Sequence, residues 1–137
     1  MISRHKRLLE AALDAILPSD DGCGARSCND IAYVEWLTGQ PFFALNRPSY
    51  DLGLELLDSF ARVRFRLRFE DCSMSERGQI LSEIQGIPHR LAQSFVESLV
   101  CVALGGFLCD PRYGGNRDGL GWKFIGFDPA VHIQDVS

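Results

Sequence analysis

Apolar residues recur with the spacing of α-helices along most of this chain. From Arg4 to Leu17 they fall three or four residues apart, which predicts an amphipathic helix that Pro18 ends. Asn29 or Asp30 can cap a second, shorter helix that ends at Thr38. The predicted apolar face of this second helix consists of Ile31, Val34 and Leu37.

A longer helix is predicted after an irregular stretch from Phe42 to Pro48. It runs from about Ser49 to about Phe65. Its predicted core stripe is Leu52, Leu56, Phe60, Val63 and Leu67. The segment from Arg62 to Phe69 also fits a β-strand, because arginine and apolar residues alternate there. Helix is the preferred interpretation, and the strand stays open as the alternative.

Two further helices complete the predicted fold. Ser73 and Glu76 have the spacing of a capping box, and the helix that they open ends near Gly86. Pro88 suits the first turn of a fifth helix, whose end Gly105-Gly106 should loosen. Its predicted buried stripe is Leu91, Phe95, Leu99, Val102 and Ala103. The expected fold class is all-α, with about five helices in a small orthogonal bundle and a glycine-rich irregular C-terminal segment, forming one domain over residues 1–137.

Composition narrows the function classes. The chain has 137 residues, is 46% hydrophobic and carries a net charge of −4, which argues against a nucleic-acid binder. We expect no membrane span, because the longest apolar run, Phe95 to Leu108, contains Glu97, Ser98 and two glycines. We also expect no export signal, because Glu10 and Asp14 interrupt the first apolar run and no twin-arginine pair is present.

The side chains that most often carry out chemistry are scattered. His5, His89 and His132 have no metal-ligand spacing, and none is predicted to be catalytic. Cys23 and Cys28 do not match a zinc pattern, which leaves a local disulfide or two loop thiols.

The remaining cysteines and a run of arginines have simple interpretations. Cys101 should be a small hydrophobe on or beside the apolar face of the fifth helix, and Cys109 a more exposed thiol that could react or cross-link. The basic cluster Arg62, Arg64, Arg66 and Arg68 should be a solvated face that pairs with Glu70, Asp71 or Glu55, or a surface for a protein partner.

The stretch DPRYGGNRDGLGWKFIGF, from Asp110 to Phe127, differs in character from the rest and is here called the signature segment. It lacks the Lys-Ser/Thr ending of a phosphate-binding loop, and Phe124 stands where a dinucleotide fingerprint needs its third glycine. Its glycines predict tight turns, at 114–116 and at 117–119. Arg112, Tyr113 and Trp122 are residue types that anchor interfaces, although Trp122 could instead fold back into the core.

The signature segment closely resembles the C-terminal motif of the gluconate 2-dehydrogenase subunit 3 family. LDAILPSDD, from Leu13 to Asp21, is similar to the family's first helix and turn, and Ser73 to Glu76 also fits. The resemblance covers most of the chain. It implies a non-catalytic small subunit that binds a large FAD-containing dehydrogenase subunit and assists its folding or export, with no cofactor of its own. A cytochrome c subunit carrying c-type haem often accompanies such complexes.

The resemblance also implies a set of site residues and a location. The motif positions, with a structural or partner-binding role, are Asp110, Pro111, Arg112, Tyr113, Gly114, Gly115, Asn116, Asp118, Gly121 and Trp122. The implied location is the periplasm or a periplasm-facing membrane complex, with membrane association only through that complex. Many family members carry a twin-arginine signal, and its absence from this sequence leaves the cytoplasm as the alternative.

Two other functions remain open from the sequence. One is a stand-alone small enzyme or sugar-binding protein that uses Arg112, Asn116 and Asp118, because polar groups on a glycine-rich loop can bind a sugar or a carboxylate. The other is a helical module that binds an acidic partner through the cluster from Arg62 to Arg68.

Overall fold

The computed structural model describes residues 3–19, 24–43 and 47–130. These residues form six α-helices: α1 Ser3–Ile16, α2 Asp30–Thr38, α3 Arg47–Phe65, α4 Met74–Gln85, α5 Arg90–Leu108 and α6 Leu120–Ile125. Short 3₁₀ turns lie at Pro41–Phe43, Phe69–Asp71, Pro111–Tyr113 and Arg117–Gly119. No strand occurs in these three ranges, so the all-α prediction is confirmed and the strand alternative for 62–69 is wrong. Asp20 and Asp21 of the LDAILPSDD stretch, Cys23 and His132 lie outside the described residues.

The core lies where α1, α3, α4 and α5 pack against one another, with α2 packed against α5. Its centre is built from aliphatic side chains on all four helices, among them Leu9, Leu13, Leu57, Ile80 and Leu99. The ring of Phe69, on a 3₁₀ turn, is also fully buried, and its backbone N–H donates to the buried Asp58 carboxylate at 3.1 Å. Asp58 also pairs with Arg62 at 3.0 Å, so this buried charge has partners.

The predicted core stripe of α3 is wrong at several positions. Leu52, Val63 and Leu67 are exposed, Val63 to 84%, while Leu56 and Phe60 are only partly buried. The buried face instead consists of Tyr50, Gly53, Leu54, Leu57, Asp58 and Ala61. A methyl group on Gly53 would lie 2.1 Å from the Phe95 ring, so the helices approach along small residues that a count of large apolar positions overlooks.

The ends of α3 also differ from the prediction. The helix begins at Arg47, with Pro48 in its first turn rather than closing an irregular stretch. It ends at Phe65, because Arg66 adopts a left-handed conformation with φ of 56°. Leu67 therefore lies beyond the helix, and the helical period that placed it in the core does not reach it.

Helix α5 is longer and more regular than predicted. Phe95, Leu99, Val102 and Ala103 are buried as expected, but Leu91 is exposed. His89, not Pro88, marks its beginning: the His89 Nδ1 accepts a hydrogen bond from the Leu91 N–H at 3.1 Å. Gly105 and Gly106 continue the helix to Leu108 instead of loosening it. Gly106 lacks a side chain and so lets Asp30 pack closely against the helix.

The apolar length of α5 corrects another expectation. By length and composition alone, Arg90–Leu108 could cross a membrane, and it is the one such helix among the described residues. The glycines and Glu97 do not reduce its overall hydropathy enough to exclude this. Its buried side chains belong to the bundle core, which accounts for the apolar composition of one of its faces.

The capping box predicted for α4 is confirmed. The Ser73 hydroxyl accepts from the Glu76 N–H at 3.1 Å, and the Glu76 carboxylate accepts from the Ser73 N–H at 2.8 Å. Helix α4 contributes Ile80, Leu81 and Ile84 to the core, so its first turn is tied to the stability of the bundle.

Ser73→Ala should therefore lower the free energy of unfolding by about 1 kcal/mol, because it leaves the Glu76 N–H without its cap. Urea unfolding followed by circular dichroism measures the change. Ser75→Ala, at an exposed position in the same turn, is the matched control and should be neutral or slightly stabilising. Equal losses in the two variants would contradict the capping role.

Candidate functional site

The signature segment docks into the corner between the start of α2 and the end of α5. The Asn116 N–H donates to the Gly106 carbonyl at 2.7 Å, inside α5. The Arg117 N–H donates to the Cys28 carbonyl at 3.1 Å, just before α2. Asn29, predicted to cap α2, has a left-handed backbone and its side chain instead donates to the Gly114 carbonyl at 3.5 Å. The segment thus joins two helices that are distant in sequence.

The side chain of Asn116 is the centre of this arrangement. It is fully buried, with a left-handed backbone (φ 47°). Its Nδ2 donates to the Cys109 carbonyl at 2.8 Å, and its Oδ1 accepts from the N–H groups of Gly121 at 2.8 Å and Trp122 at 3.4 Å. One amide side chain therefore provides hydrogen-bond partners for backbone groups at the end of α5 and in the first turn of α6. These groups have no partners within their own helices.

The glycines of the segment allow its backbone to approach the helices closely. A methyl group on Gly121 would lie 1.7 Å from the Phe107 carbonyl oxygen, and one on Gly115 would lie 2.3 Å from that of Gly106. Gly114 has a φ of 101° as well as a close contact with Ala32. The predicted tight turn at 117–119 is present as a 3₁₀ turn, whereas the turn predicted at 114–116 lies instead at Pro111–Tyr113. The close approach of the glycines is to the chain's own backbone.

The exposed edge of the segment is aromatic and cationic. The Tyr113 ring lies 4.6 Å from the Trp36 ring between centroids, and the Arg112 guanidinium lies 5.0 Å above Tyr113. Trp36, on α2, is itself 38% exposed and is not part of the predicted motif. We call Trp36, Arg112 and Tyr113 the aromatic edge. Asp110 holds its turn, since its carboxylate accepts from the Arg112 N–H at 3.0 Å.

The ten predicted motif positions thus fall into two groups. Gly115, Asn116 and Gly121 are buried inside the chain, where their role is structural. The others are exposed or partly exposed: Asp110, Pro111, Arg112, Tyr113, Gly114, Asp118 and Trp122. Trp122 was predicted either to anchor an interface or to fold back into the core, and its half-buried position combines the two. Its indole N–H donates to the Leu108 carbonyl at 2.8 Å, and its ring packs on Phe127.

The alternative sites proposed from sequence are not assembled. The amide of Asn116 is used internally and is sealed from solvent, so it cannot join Arg112 and Asp118 in a sugar site. The arginine cluster is ion-paired in part, as expected. Arg68 pairs with Glu70, a predicted partner, at 3.8 Å, whereas Arg62 pairs with Asp58 and Arg64 with Glu83 at 2.7 Å, which were not predicted. Within the described ranges, no group of three or more His, Cys, Asp or Glu residues could hold a metal.

The histidines and cysteines have structural surroundings. His5 lies between Asp51 and Glu55 of α3, with ring nitrogens 3.4 and 3.2 Å from their carboxylates. The predicted exposures of two cysteines are reversed: Cys101 is exposed, whereas Cys109 is half-buried. Burial raises the pKa of the Cys109 thiol, with smaller contributions from neighbouring groups, which disfavours the reactive thiolate.

Sequence reasoning missed the most unusual group in the molecule, Asp30. Its carboxylate is buried against Gly106, and neither oxygen has a hydrogen-bond partner. Burial raises its pKa to about 8, so the carboxyl is largely protonated at neutral pH. Asp30 was predicted only as a possible helix cap, because an acidic residue at the start of a helix is ordinarily solvated.

An apolar groove between α3 and α5 was also not foreseen. Its volume is about 580 Å³ and its walls include Phe43, Tyr50, Leu56, Ile87 and Phe95. Burial raises the pKa of Tyr50 far above the usual tyrosine value, which marks this wall as apolar. The exposed Leu52 and Leu91 line the same groove.

Comparison with known proteins gives one family. The family model described as gluconate 2-dehydrogenase subunit 3 matches residues 3–129, which confirms the resemblance noted in the sequence. No curated protein and no solved structure matches the chain. The matched range includes the whole signature segment and every helix described above.

Asn116→Ala should lower the free energy of unfolding by about 2–4 kcal/mol, because it leaves the Cys109 carbonyl and the Gly121 N–H buried without partners. Asp118→Ala is the matched control: Asp118 has the same left-handed backbone (φ 57°) but is exposed. Chemical denaturation of both variants separates the hydrogen bonds from the backbone effect. Similar losses in the two would show that the Asn116 amide contributes little.

The Asp30 carboxyl should make stability fall as pH rises. Its pKa in the folded chain, about 8, lies above the ordinary aspartate value of 3.8, so the folded state binds more protons between these values. The free energy of unfolding should therefore decrease from about pH 4 to about pH 8, by at most about 1.4 kcal/mol per pH unit, and then level off. Asp30→Asn should remove this slope in urea titrations across the same range. Parallel pH profiles for the two proteins would refute the assignment.

Proposed function

Because the chain belongs to the gluconate 2-dehydrogenase subunit 3 family, we propose that it is a non-catalytic subunit of a flavin-dependent sugar or sugar-acid dehydrogenase complex. Its role is to bind the large FAD-containing subunit and to assist that subunit's folding or export. FAD belongs to the partner in this proposal, and c-type haem to a third subunit where one is present. The proposed location is the periplasm or a periplasm-facing membrane complex.

The observation that carries this proposal is how the signature segment divides between interior and surface. The Asn116 amide, which would otherwise be the group best suited to hold a ligand, is bonded to the chain's own backbone. The aromatic edge lies on the outside of the segment. Tyrosine, tryptophan and arginine are the residues that most often dominate the binding energy of protein interfaces.

The geometry of the aromatic edge favours binding to a protein. Trp36 also stacks near Tyr33, at 6.1 Å between centroids, so the three aromatic rings form a rigid, half-exposed surface. Rigid side chains lose little conformational entropy on binding. Arg112 adds hydrogen-bond donors at the margin, where a carboxylate of a partner can accept them.

The direct experiment is co-expression of the chain with the large flavoprotein subunit from the same genome. Size-exclusion chromatography should show one complex with flavin absorption, while the chain purified alone shows neither flavin nor haem bands. Separate elution, together with full solubility and activity of the flavoprotein alone, would rule out the proposed role.

Tyr113→Ala should weaken the complex by about tenfold or more, because it removes the central ring of the aromatic edge. Tyr113→Phe keeps the ring contacts and should bind like the wild-type chain. Affinities from biolayer interferometry, with the unfolding midpoint of each variant measured in parallel, make the comparison. Unchanged affinity for a folded Tyr113→Ala variant would exclude the aromatic edge from the interface.

A further inference from the structure

The outer face of α5 is apolar in its C-terminal half, although the inner face already supplies the core. The N-terminal half of the same face carries the exposed Arg90, Gln93 and Glu97. Val100, Cys101, Leu104 and Leu108 follow one another at steps of one, three and four residues, which places them on one side of the helix. All four are exposed, Leu104 to 44%. The opposite side carries Leu99 and the other buried residues of α5.

Helix α6 extends this exposed surface. Phe124 and Ile125 are 65% and 56% exposed. Their position against α5 is fixed, since the Phe124 ring packs edge-on against Phe107 at 5.8 Å between centroids and the Trp122 indole donates to the Leu108 carbonyl. We call the combined surface the α5–α6 face, formed by Val100, Cys101, Leu104, Leu108, Phe124 and Ile125.

A surface of this kind is unusual on a chain that remains alone. Single exposed apolar residues are ordinary, but a contiguous patch on one helix and its neighbour marks an interaction site. A surface helix normally has a polar outer side, whereas the C-terminal half of α5 is apolar on both sides, which contributes to a composition that would suit a membrane span.

Charge and packing narrow the choice of what binds the α5–α6 face. Insertion of α5 into a bilayer would require its inner face to leave the core, and the net charge of −4 opposes adsorption to anionic lipid. A second copy would bring two equally acidic chains together. The six residues of the face carry no charge, and the exposed Glu97 borders it one helical turn before Cys101. The face therefore fits a largely apolar surface.

Continuity with the signature segment points to the same partner. The segment begins at the aromatic edge and ends in α6, so one stretch of chain carries parts of both surfaces. We infer that the α5–α6 face is a second, apolar contact for the large dehydrogenase subunit. This inference rests on the proposed function and adds a surface that the signature motif does not identify.

The exposed thiol of Cys101 reports directly on the face. N-ethylmaleimide should modify Cys101 readily in the isolated chain and at least about tenfold more slowly in the complex, because a buried thiol is shielded from the reagent. A Val63→Cys substitution, at a highly exposed position on α3, supplies a reference thiol that should remain reactive in both states. Peptide mass spectrometry resolves the two sites. Unchanged reactivity of Cys101 in the complex would overturn the inference.

Substitutions test the same face independently. Leu104→Asp and Phe124→Asp should each reduce affinity for the flavoprotein about tenfold or more, while Val63→Asp, also at an exposed apolar position, should not. Circular dichroism and unfolding midpoints establish that each variant is folded. Wild-type affinity in folded Leu104→Asp and Phe124→Asp variants would overturn the inference and leave the proposed function intact.

Two measurements on the isolated chain test whether the α5–α6 face instead binds a second copy of the chain or lipid. A wild-type dimer in sedimentation velocity that Leu104→Asp dissociates would assign the face to a second copy. Flotation with vesicles of phosphatidylcholine and phosphatidylglycerol, lost in Leu104→Asp, would assign it to lipid. Either result overturns the inference, and failure of the wild-type chain to form any complex overturns both it and the proposed function.

Discussion

The C-terminal third of this protein depends on one buried amide, the side chain of Asn116. Its three hydrogen bonds join the last turn of α5 to the first turn of α6, in a place that water does not reach. Buried backbone groups need partners, and a single side chain supplies them here for two helix ends. The glycines on either side of it complete the arrangement, because any side chain at Gly115 or Gly121 would collide with the carbonyls of α5.

This constraint divides the family motif into an inner and an outer part. The inner part holds the chain together and has no free chemistry to offer. The outer part, with Tyr113 against Trp36, gains its rigidity from the inner part, because the turn that carries it is anchored to α2 and α5. A motif that looks like an active-site loop in sequence therefore joins α2, α5 and α6 in the structure. The surfaces proposed to bind a partner lie beside it.

Hydrogen bonds between residues close in sequence could be predicted, whereas the close packing of one helix against another could not. The capping box of Ser73 and Glu76 was foreseen because all of its atoms lie within four residues. The buried face of α3 was misassigned, because the small residues Gly53 and Ala61 pack inward, Gly53 directly against the Phe95 ring. The same limitation applies to the site. Asn116 was recognised as a motif residue, but the sequence does not show that its N–H bonds to the Gly106 carbonyl. Nor does the sequence show that the Asp30 carboxylate packs against Gly106, away from solvent.

The contact between Asn29 and Gly114 spans 85 positions, and it has a consequence for synthesis of the chain. The chain leaves the ribosome from its N-terminus, so α2 and α5 emerge before the residues that clasp them. Until Trp122 is released, the end of α5 lacks its closing hydrogen bonds and its outer leucines have no α6 beside them. Contacts of such long sequence separation form late. Closure of this contact is thus a late step in folding, which follows the formation of α2 and α5.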